Sequence, residues 1–294
     1  MHDINYFHEH ELREHDFLGC CKDCQNSLKI IKPHILAFAE RIQKYTREML
    51  EKVPPDELYR LYQLLDDLAH MDAGVHLAGL ILEEQEIKSV LPLIRSYYAA
   101  FFAIHEAHLA KQLLIADDPW EALERFPLYP RYEALIKAQV EALPELARRR
   151  LIFIGCGPVP MSLILMNRLY QSRCVGLDTS PDSVDLAQAV METLGLKKDI
   201  AIVHGNETTL WNLDWNAVLV AALAEPKERI FQNLRRILRK RDSDIPVIYR
   251  TYTGMRAVLY APVNRDHVTG FRTIQEIFPT DRVNNTTVLA RLAG

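Results

Sequence analysis

Glycine is nearly missing from the first half of this 294-residue chain: of 11 glycines, only Gly19, Gly74 and Gly79 precede Gly155. A stretch so poor in turn-forming residues is read as helix rather than hairpins. Charge of one sign is lacking too. The 35 Lys and Arg against 39 Asp and Glu leave a net −4, which argues against a nucleic-acid-binding surface. No apolar run reaches the roughly 20 residues of a bilayer span, so no membrane partner is expected. The N-terminus, MHDINYFHEHELREHD, is polar and His-rich instead of basic and then apolar. It does not read as a signal peptide, and a cytoplasmic enzyme is the expectation.

Cysteines number only five, Cys20, Cys21, Cys24, Cys156 and Cys174, an odd count with two in apolar segments. That does not make a disulfide framework. Cys20, Cys21 and Cys24 have histidines upstream but no second ligand pair at a defined distance, so no metal is expected there. They are read as reduced thiols at a helix edge, and His2, His8, His10 and His15 as free side chains.

What the chain does have is 49% hydrophobic and 25% charged residues, the balance of a globular protein with a core. Its length suits one large domain or two ordinary ones. From about 25 to 145, apolar residues recur at helical spacing. Helices are expected over Leu28–Val53, Glu57–His70 with Asp56 as N-cap, Ile81–Leu91, Tyr97–Ile115, Trp120–Arg125 and Arg131–Leu143. From Arg148 short runs rich in Val and Ile alternate with helical stretches. The strands are Leu151–Ile154, Val175–Leu177, Ile200–Val203, Ala217–Ala222 and Pro246–Tyr249; the helices lie near Val159–Tyr170, Ser183–Leu194 and Pro226–Leu238. That alternation makes a parallel α/β sheet. Ala257–Pro262 and Thr286–Leu292 are assigned as antiparallel edge strands. The fold class is therefore α/β: an all-helical N-terminal domain over 1–147 and a Rossmann-like sheet domain over 148–294.

Chemistry concentrates at the ends of the first three strands. Leu151–Ile154 breaks into Gly155-Cys156-Gly157-Pro158, and the second strand ends in Asp178-Thr179-Ser180. Glycines let backbone approach a ligand, and the acid accepts hydrogen bonds from ribose hydroxyls. The third strand ends in His204-Gly205-Asn206-Glu207, where a base can be held. Pro160 stands where a dinucleotide fingerprint has its third glycine, and proline suits a helix's first turn better than a pyrophosphate cradle. Three such strand ends in order resemble the S-adenosylmethionine site of class I methyltransferases. The cofactor-binding residues on this reading are Gly155, Cys156, Gly157, Pro158, Pro160, Asp178, Thr179, Ser180, Gly205, Asn206, Ala222 and Leu223.

A more specific likeness lies in LIFIGCGPVPMS, which resembles the G-S-G-P-L-P motif of nicotianamine synthases. Asp117-Asp118-Pro119 through Phe126-Pro127-Leu128-Tyr129-Pro130-Arg131-Tyr132 is similar to that family's D-D-P…F-P-Y-Y-x-N-Y segment. Ala221-Ala222-Leu223 follows the fourth strand as it does there. Arg250–Tyr260 resembles R-S-A-H-G-x-R-x-x-L-Y, and Asp281–Val288 resembles D-x-V-x-N-S-V with one extra residue. The likeness runs from about Val90 to Leu292; before it only helical character is shared.

The resemblance implies a transferase of the 3-amino-3-carboxypropyl arm of S-adenosylmethionine, releasing methylthioadenosine, with no metal. The sulfonium activates every carbon attached to it, so placement decides which one meets the amine. The family carries an E-A-E stretch before the D-D-P turn, one acid of which pairs with a loop tyrosine. An ungapped count from Asp117 puts those acids at Ala100 and Phe102, so the family's acid is expected to be missing. That departure favours the bacterial relatives making staphylopine- and pseudopaline-type opine metallophores, which use histidine, D-histidine favoured, as acceptor. A downstream opine dehydrogenase would then act on the product, and a homodimer is among the assemblies allowed. The alternatives are a nicotianamine synthase condensing several S-adenosylmethionines, a conventional methyltransferase and a non-catalytic S-adenosylmethionine-binding protein. The catalytic candidates are Tyr98, His105, Glu106 and Tyr129. The acceptor-binding candidates are Phe102, Tyr132, Arg250 and Tyr252, the arginine because it matches a carboxylate bidentately.

Overall fold

The computed structural model describes residues 22–71, 73–242, 244–280 and 283–293. Cys20, Cys21, the four N-terminal histidines, Asp281 and Arg282 lie outside the described residues. The chain divides into two compact units, one running up to Tyr98 and including Gly254–Tyr260, the other Ala99–Thr253 with Ala261–Gly294. Secondary structure changes from helix to alternating strand and helix near residue 150, as expected. The compact units divide elsewhere than at 147/148.

The first unit is helical. It contains α1 (Lys22–Ile42), α2 (Arg47–Leu50), α3 (Pro55–Ala69), α4 (Val75–Glu83) and the start of α5 (Gln85–Ile115). Ile35, Leu58, Tyr62, Leu65, Ile81, Ile87 and Ile94 are fully buried in it. Pro54 occupies the N-cap position of α3 with Pro55 behind it, and Asp56 falls in the first turn. Proline has no N–H to waste there, and the acid still meets the positive end of the helix. The two helices expected over Ile81–Leu91 and Tyr97–Ile115 become α4 and one long α5 with Pro92 inside. Leu91, Ile94, Tyr97, Tyr98 and Phe101 are all buried across that proline. Tertiary burial thus carries the helix through a residue that costs about 3 kcal/mol in isolation. By length and mean hydropathy α5 also passes for a membrane span. Its buried residues recur at core-helix spacing, and exposed Lys111 and Gln112 stand between buried Ala110 and Leu113.

Ala257–Pro262 is not a strand. Gly254–Val258 forms a 3-10 turn of the first unit, and Arg95 fixes it by donating to Ala257 O from Nη2 (2.8 Å) and Nε (3.3 Å). The apolar side chains of this run satisfy the burial a strand would have offered.

The second unit continues α5 and adds α6 (Pro119–Glu124), α7 (Tyr129–Ala142), β1 (Leu151–Ile154), α8 (Met161–Tyr170), β2 (Cys174–Asp178), α9 (Pro181–Thr193), β3 (Ile200–His204), β4 (Ala217–Val220), α10 (Lys227–Lys240), β5 (Val247–Thr251), β6 (Phe271–Ile277) and β7 (Thr286–Leu292). The seven strands lie in the order β3-β2-β1-β4-β5-β7-β6. The first five are parallel, and β7 pairs antiparallel with both β5 and β6. This is a Rossmann-like sheet closed by an antiparallel hairpin, the methyltransferase-type arrangement. Every residue of β1 and β4 is buried, as parallel strands covered on both faces require. One face packs Ile152, Ile154, Val218 and Val220 against Ile230, Phe231, Leu234 and Ile237 of α10. The order reverses between β1 and β4, and a ligand is expected at the carboxyl ends there.

Candidate functional site

The turn after β1 is shaped by two glycines in left-handed backbone. Gly155 has φ +76° and Gly157 φ +69°, and a Cβ on Gly155 would sit 2.8 Å from Ala224 Cβ. Side chains are excluded on both counts. Gly155 N and Cys156 N both donate to Leu177 O, at 2.8 and 3.0 Å, and tie the turn to β2. Gly157 N donates to Asp178 Oδ2 at 2.9 Å, while Ser180 N donates to Oδ1 at 3.0 Å. The Asp178 carboxylate is thus aimed by main chain at both oxygens, each keeping a lone pair for a ribose hydroxyl.

The other cofactor-binding candidates fall into place around it. Cys156 is buried, and burial pushes its thiol well up, so it is a packing residue and not a nucleophile. Pro158 is buried, and Pro160 takes the N-cap position of α8, one residue before the helix begins. Thr179 is exposed, its carbonyl within 3.1 Å of His204 Nε2; the Ser180 hydroxyl accepts from Ser183 N and caps α9. Gly205 N donates to Asp178 O at 2.9 Å, and Asn206 turns its side chain to Thr208 as a helix cap. Ala222 and Leu223 form a turn held by Lys227, whose Nζ donates to Ala222 O at 2.8 Å.

Of the four catalytic candidates, one reaches the glycine turn. A Cβ on Gly157 would lie 2.7 Å from Glu106 Oε2, so the acid from α5 is in contact with the turn. Tyr132 on α7 donates to Glu106 Oε1 at 3.1 Å. Burial pushes the Glu106 carboxyl up to about 8; the Tyr132 hydrogen bond pulls the other way, and nearby Asp178 adds to the rise. A carboxyl raised that far changes its protonation near neutrality rather than in acid.

The other three lie elsewhere. Tyr98 is 2% exposed in the helical unit, its ring 6.3 Å from that of Tyr62, a core aromatic. His105, one residue from Glu106 and so about 100° round the helix, stacks on Phe101 at 4.9 Å and lies 5.2 Å from Phe126. That apolar burial pulls its imidazole down to about 4. Tyr129 is set among Arg168, Glu133, Glu124 and Lys137, so the loop tyrosine that meets the acid is Tyr132. Phe102 packs edge-on against Phe101. Ala100 and Phe102, where the ungapped count put the family's acids, precede Glu106 on α5, and Glu106 is the carboxylate that reaches the turn.

Arg250 on β5 is 4% exposed, and its Nη2 donates to Ser162 Oγ at 2.9 Å. Its guanidinium lies 5.5 Å from the Phe153 ring. Tyr252 is 2% exposed, and with Tyr132 it acts on Arg250 electrostatically. Arg256 belongs to the 3-10 turn of the helical unit. Glu207, at the end of the His204-Gly205-Asn206-Glu207 run, accepts from Arg229 Nε at 2.9 Å and Asn233 Nδ2 at 2.8 Å. Both donors lie on α10, so Glu207 braces that helix.

The family model "Nicotianamine synthase protein" matches residues 24–294, so the likeness extends through the N-terminal helices. Nicotianamine synthase 1 of Oryza sativa subsp. indica is 28% identical over 206 residues, 64% of this chain and 61% of that protein. The match thus spans about three fifths of the rice protein's length. Nicotianamine synthase of Solanum lycopersicum is 24% identical over 283 residues, 91% of this chain and 85% of the relative. Among solved structures, MtNAS in complex with MTA and tNA superposes with a TM-score of 0.82 at 33% identity, covering 94% of this chain and all of the other. A glutamate-to-glutamine variant of MtNAS in complex with S-adenosylmethionine gives 0.80 at 34%.

Proposed function

The chain belongs to the nicotianamine synthase family, and from that premise we propose that it transfers the 3-amino-3-carboxypropyl arm of S-adenosylmethionine to the amine of a second S-adenosylmethionine-derived acceptor. The observation that carries this reading is the Glu106–Tyr132 pair in contact with Gly157 and beside Asp178. Asp178 would hold the ribose, and the turn Gly155–Gly157 would lie against the nucleoside. The acceptor nitrogen must arrive neutral to attack. It forms a bond to the carbon γ to the carboxylate, the carbon–sulfur bond breaks with its electrons onto sulfur, and neutral methylthioadenosine leaves. Glu106 takes the proton the nitrogen gives up, with Tyr132 holding its carboxylate in place. A sulfonium close to Glu106 favours the ionised acid, so donor binding itself prepares the base.

With Glu106 as the acid, the proposed reaction does not call for histidine as acceptor. A histidine transferase stays a distinct outcome of the same assay. The protein is incubated with S-adenosylmethionine alone and then with D- or L-histidine added, and nucleoside products are separated. Methylthioadenosine from S-adenosylmethionine alone supports the proposal, and release that requires histidine overturns it in favour of the opine-type reaction. S-adenosylhomocysteine would reveal a methyltransferase. Binding without any product would leave a non-catalytic S-adenosylmethionine-binding protein.

A further inference from the structure

Among the described residues, Arg250 is a buried cation with no acid as its partner. Among the described residues its partners are Ser162 Oγ, a neutral acceptor, and the face of Phe153; its Nε has no hydrogen-bond partner. Burial lowers its affinity for its own proton to a pKa of about 10, opposed by the Tyr132 and Tyr252 hydroxyls. A guanidinium carries five donors in a planar fork, and proteins rarely bury one unless it is paired. Leaving it without a carboxylate costs stability that one neutral hydrogen bond and a ring face offset only in part. Tyr132 meanwhile links this cation to the acid, since its hydroxyl donates to Glu106 and its side chain neighbours Arg250. One tyrosine thus stands between a carboxyl group and an unpaired guanidinium.

We propose that Arg250, set by Ser162, is the carboxylate anchor of an α-amino-acid subsite whose amine end is Glu106 with Tyr132. The ligand chemistry is an amino acid's carboxylate, from either the donor's aminocarboxypropyl arm or the acceptor. A forked guanidinium reads a carboxylate through two parallel hydrogen bonds, which fixes orientation as well as charge. That orientation decides which sulfonium carbon faces the amine. Naming the amino acid rests on the transferase reading; the existence of the anchor does not.

The test is calorimetric, on the full chain. S-adenosylmethionine and its decarboxylated analogue are each titrated into the native protein, Arg250→Met and Arg250→Lys. A second arm titrates histidine and 2,4-diaminobutyrate into protein saturated with methylthioadenosine. A donor anchor makes Arg250→Met lose about 10- to 100-fold in affinity for S-adenosylmethionine with none lost for the decarboxylated analogue. An acceptor anchor moves the same loss to the amino acids in the second arm. Arg250→Lys keeps the charge and loses the fork, so it falls between.

Thermal melting without ligand gives a separate readout: an anchor predicts that Arg250→Met melts at or above the native temperature, because an uncompensated charge is gone. Unchanged affinity for every probe, or an Arg250→Met protein that melts well below native, overturns the proposal. An Arg250→Met protein that does not fold counts as melting below native and overturns the proposal. Should the native protein bind these ligands yet never release methylthioadenosine, the proposed reaction falls while the anchor stands.

Discussion

Two neighbourhoods of the sheet-bearing unit each hold an acid and a cation, and they treat them oppositely. Beside α10, Glu207 is 1% exposed and accepts from Arg229 and Asn233; Lys227, 4% exposed, donates to Ala222 O and Ala224 O and lies 3.4 Å from Glu225. Each charge has its counterparts within the fold. Between α5, α7 and β5, Glu106 has one tyrosine hydroxyl and Arg250 one serine hydroxyl. Satisfied buried charges hold a structure together, whereas under-satisfied ones cost stability and persist where a ligand completes them. The same residue types therefore read as scaffold in one place and as site in the other.

The sharpest way to break that comparison exchanges each acid for its amide. In the proposed reaction Glu106→Gln removes the proton acceptor while keeping shape, so turnover should fall about 10²- to 10⁴-fold with S-adenosylmethionine still bound. Methylthioadenosine release and calorimetry read the two effects separately. Glu207→Gln should leave turnover nearly unchanged and lower the melting temperature, because Arg229 loses its counter-charge. Equal losses of turnover in both variants would erase the distinction.

Next in size is the pair of cations. Lys227→Met strips the ammonium from two loop carbonyls and should cost about 1–3 kcal/mol of stability, read by denaturant unfolding. Arg250→Met should cost none. If Lys227→Met proves neutral, the turn after β4 is held by something other than its carbonyl partners.

How far the sequence foretells this arrangement depends on whether a feature is local. The β1 range Leu151–Ile154 is legible as an apolar run between polar neighbours, and the Gly155–Gly157 turn and Asp178 follow from it along the chain. The strand Phe271–Ile277 is not legible: its five inner residues are exposed and carry no alternation, and only pairing with β7 makes it a strand. Ala257–Pro262 fails the other way, since an apolar run alone does not distinguish a strand from a buried 3-10 turn. Glu106 and Tyr132 stand 26 residues apart on different helices. Their meeting depends on how α5 and α7 are rotated about their axes. Helical periodicity gives that rotation to within a residue or so, too coarse to separate Glu106 from His105 or Tyr132 from Tyr129.

The smallest effects test that last pair through pH. The Glu106 carboxyl, raised to about 8 by burial, must be ionised to accept a proton, so kcat/KM should climb toward a limb near that pH in the native enzyme. The hydrogen bond from Tyr132 pulls the value down. Tyr132→Phe should therefore move the limb upward, by no more than about one pH unit for a bond worth about 0.5–1.5 kcal/mol. Tyr129→Phe should leave it in place, because Tyr129 answers to Arg168 and Glu133 instead. The sign is checked by stability. Folded Glu106 keeps a proton that the unfolded chain releases above about 4.5, so its contribution favours the fold at low pH and is lost as pH rises toward 8. Melting curves of Glu106→Gln should lose that part of the decline, whereas Tyr129→Phe should keep it. A limb that shifts in Tyr129→Phe and stays put in Tyr132→Phe would return the catalytic tyrosine to the position that the loop motif alone suggests.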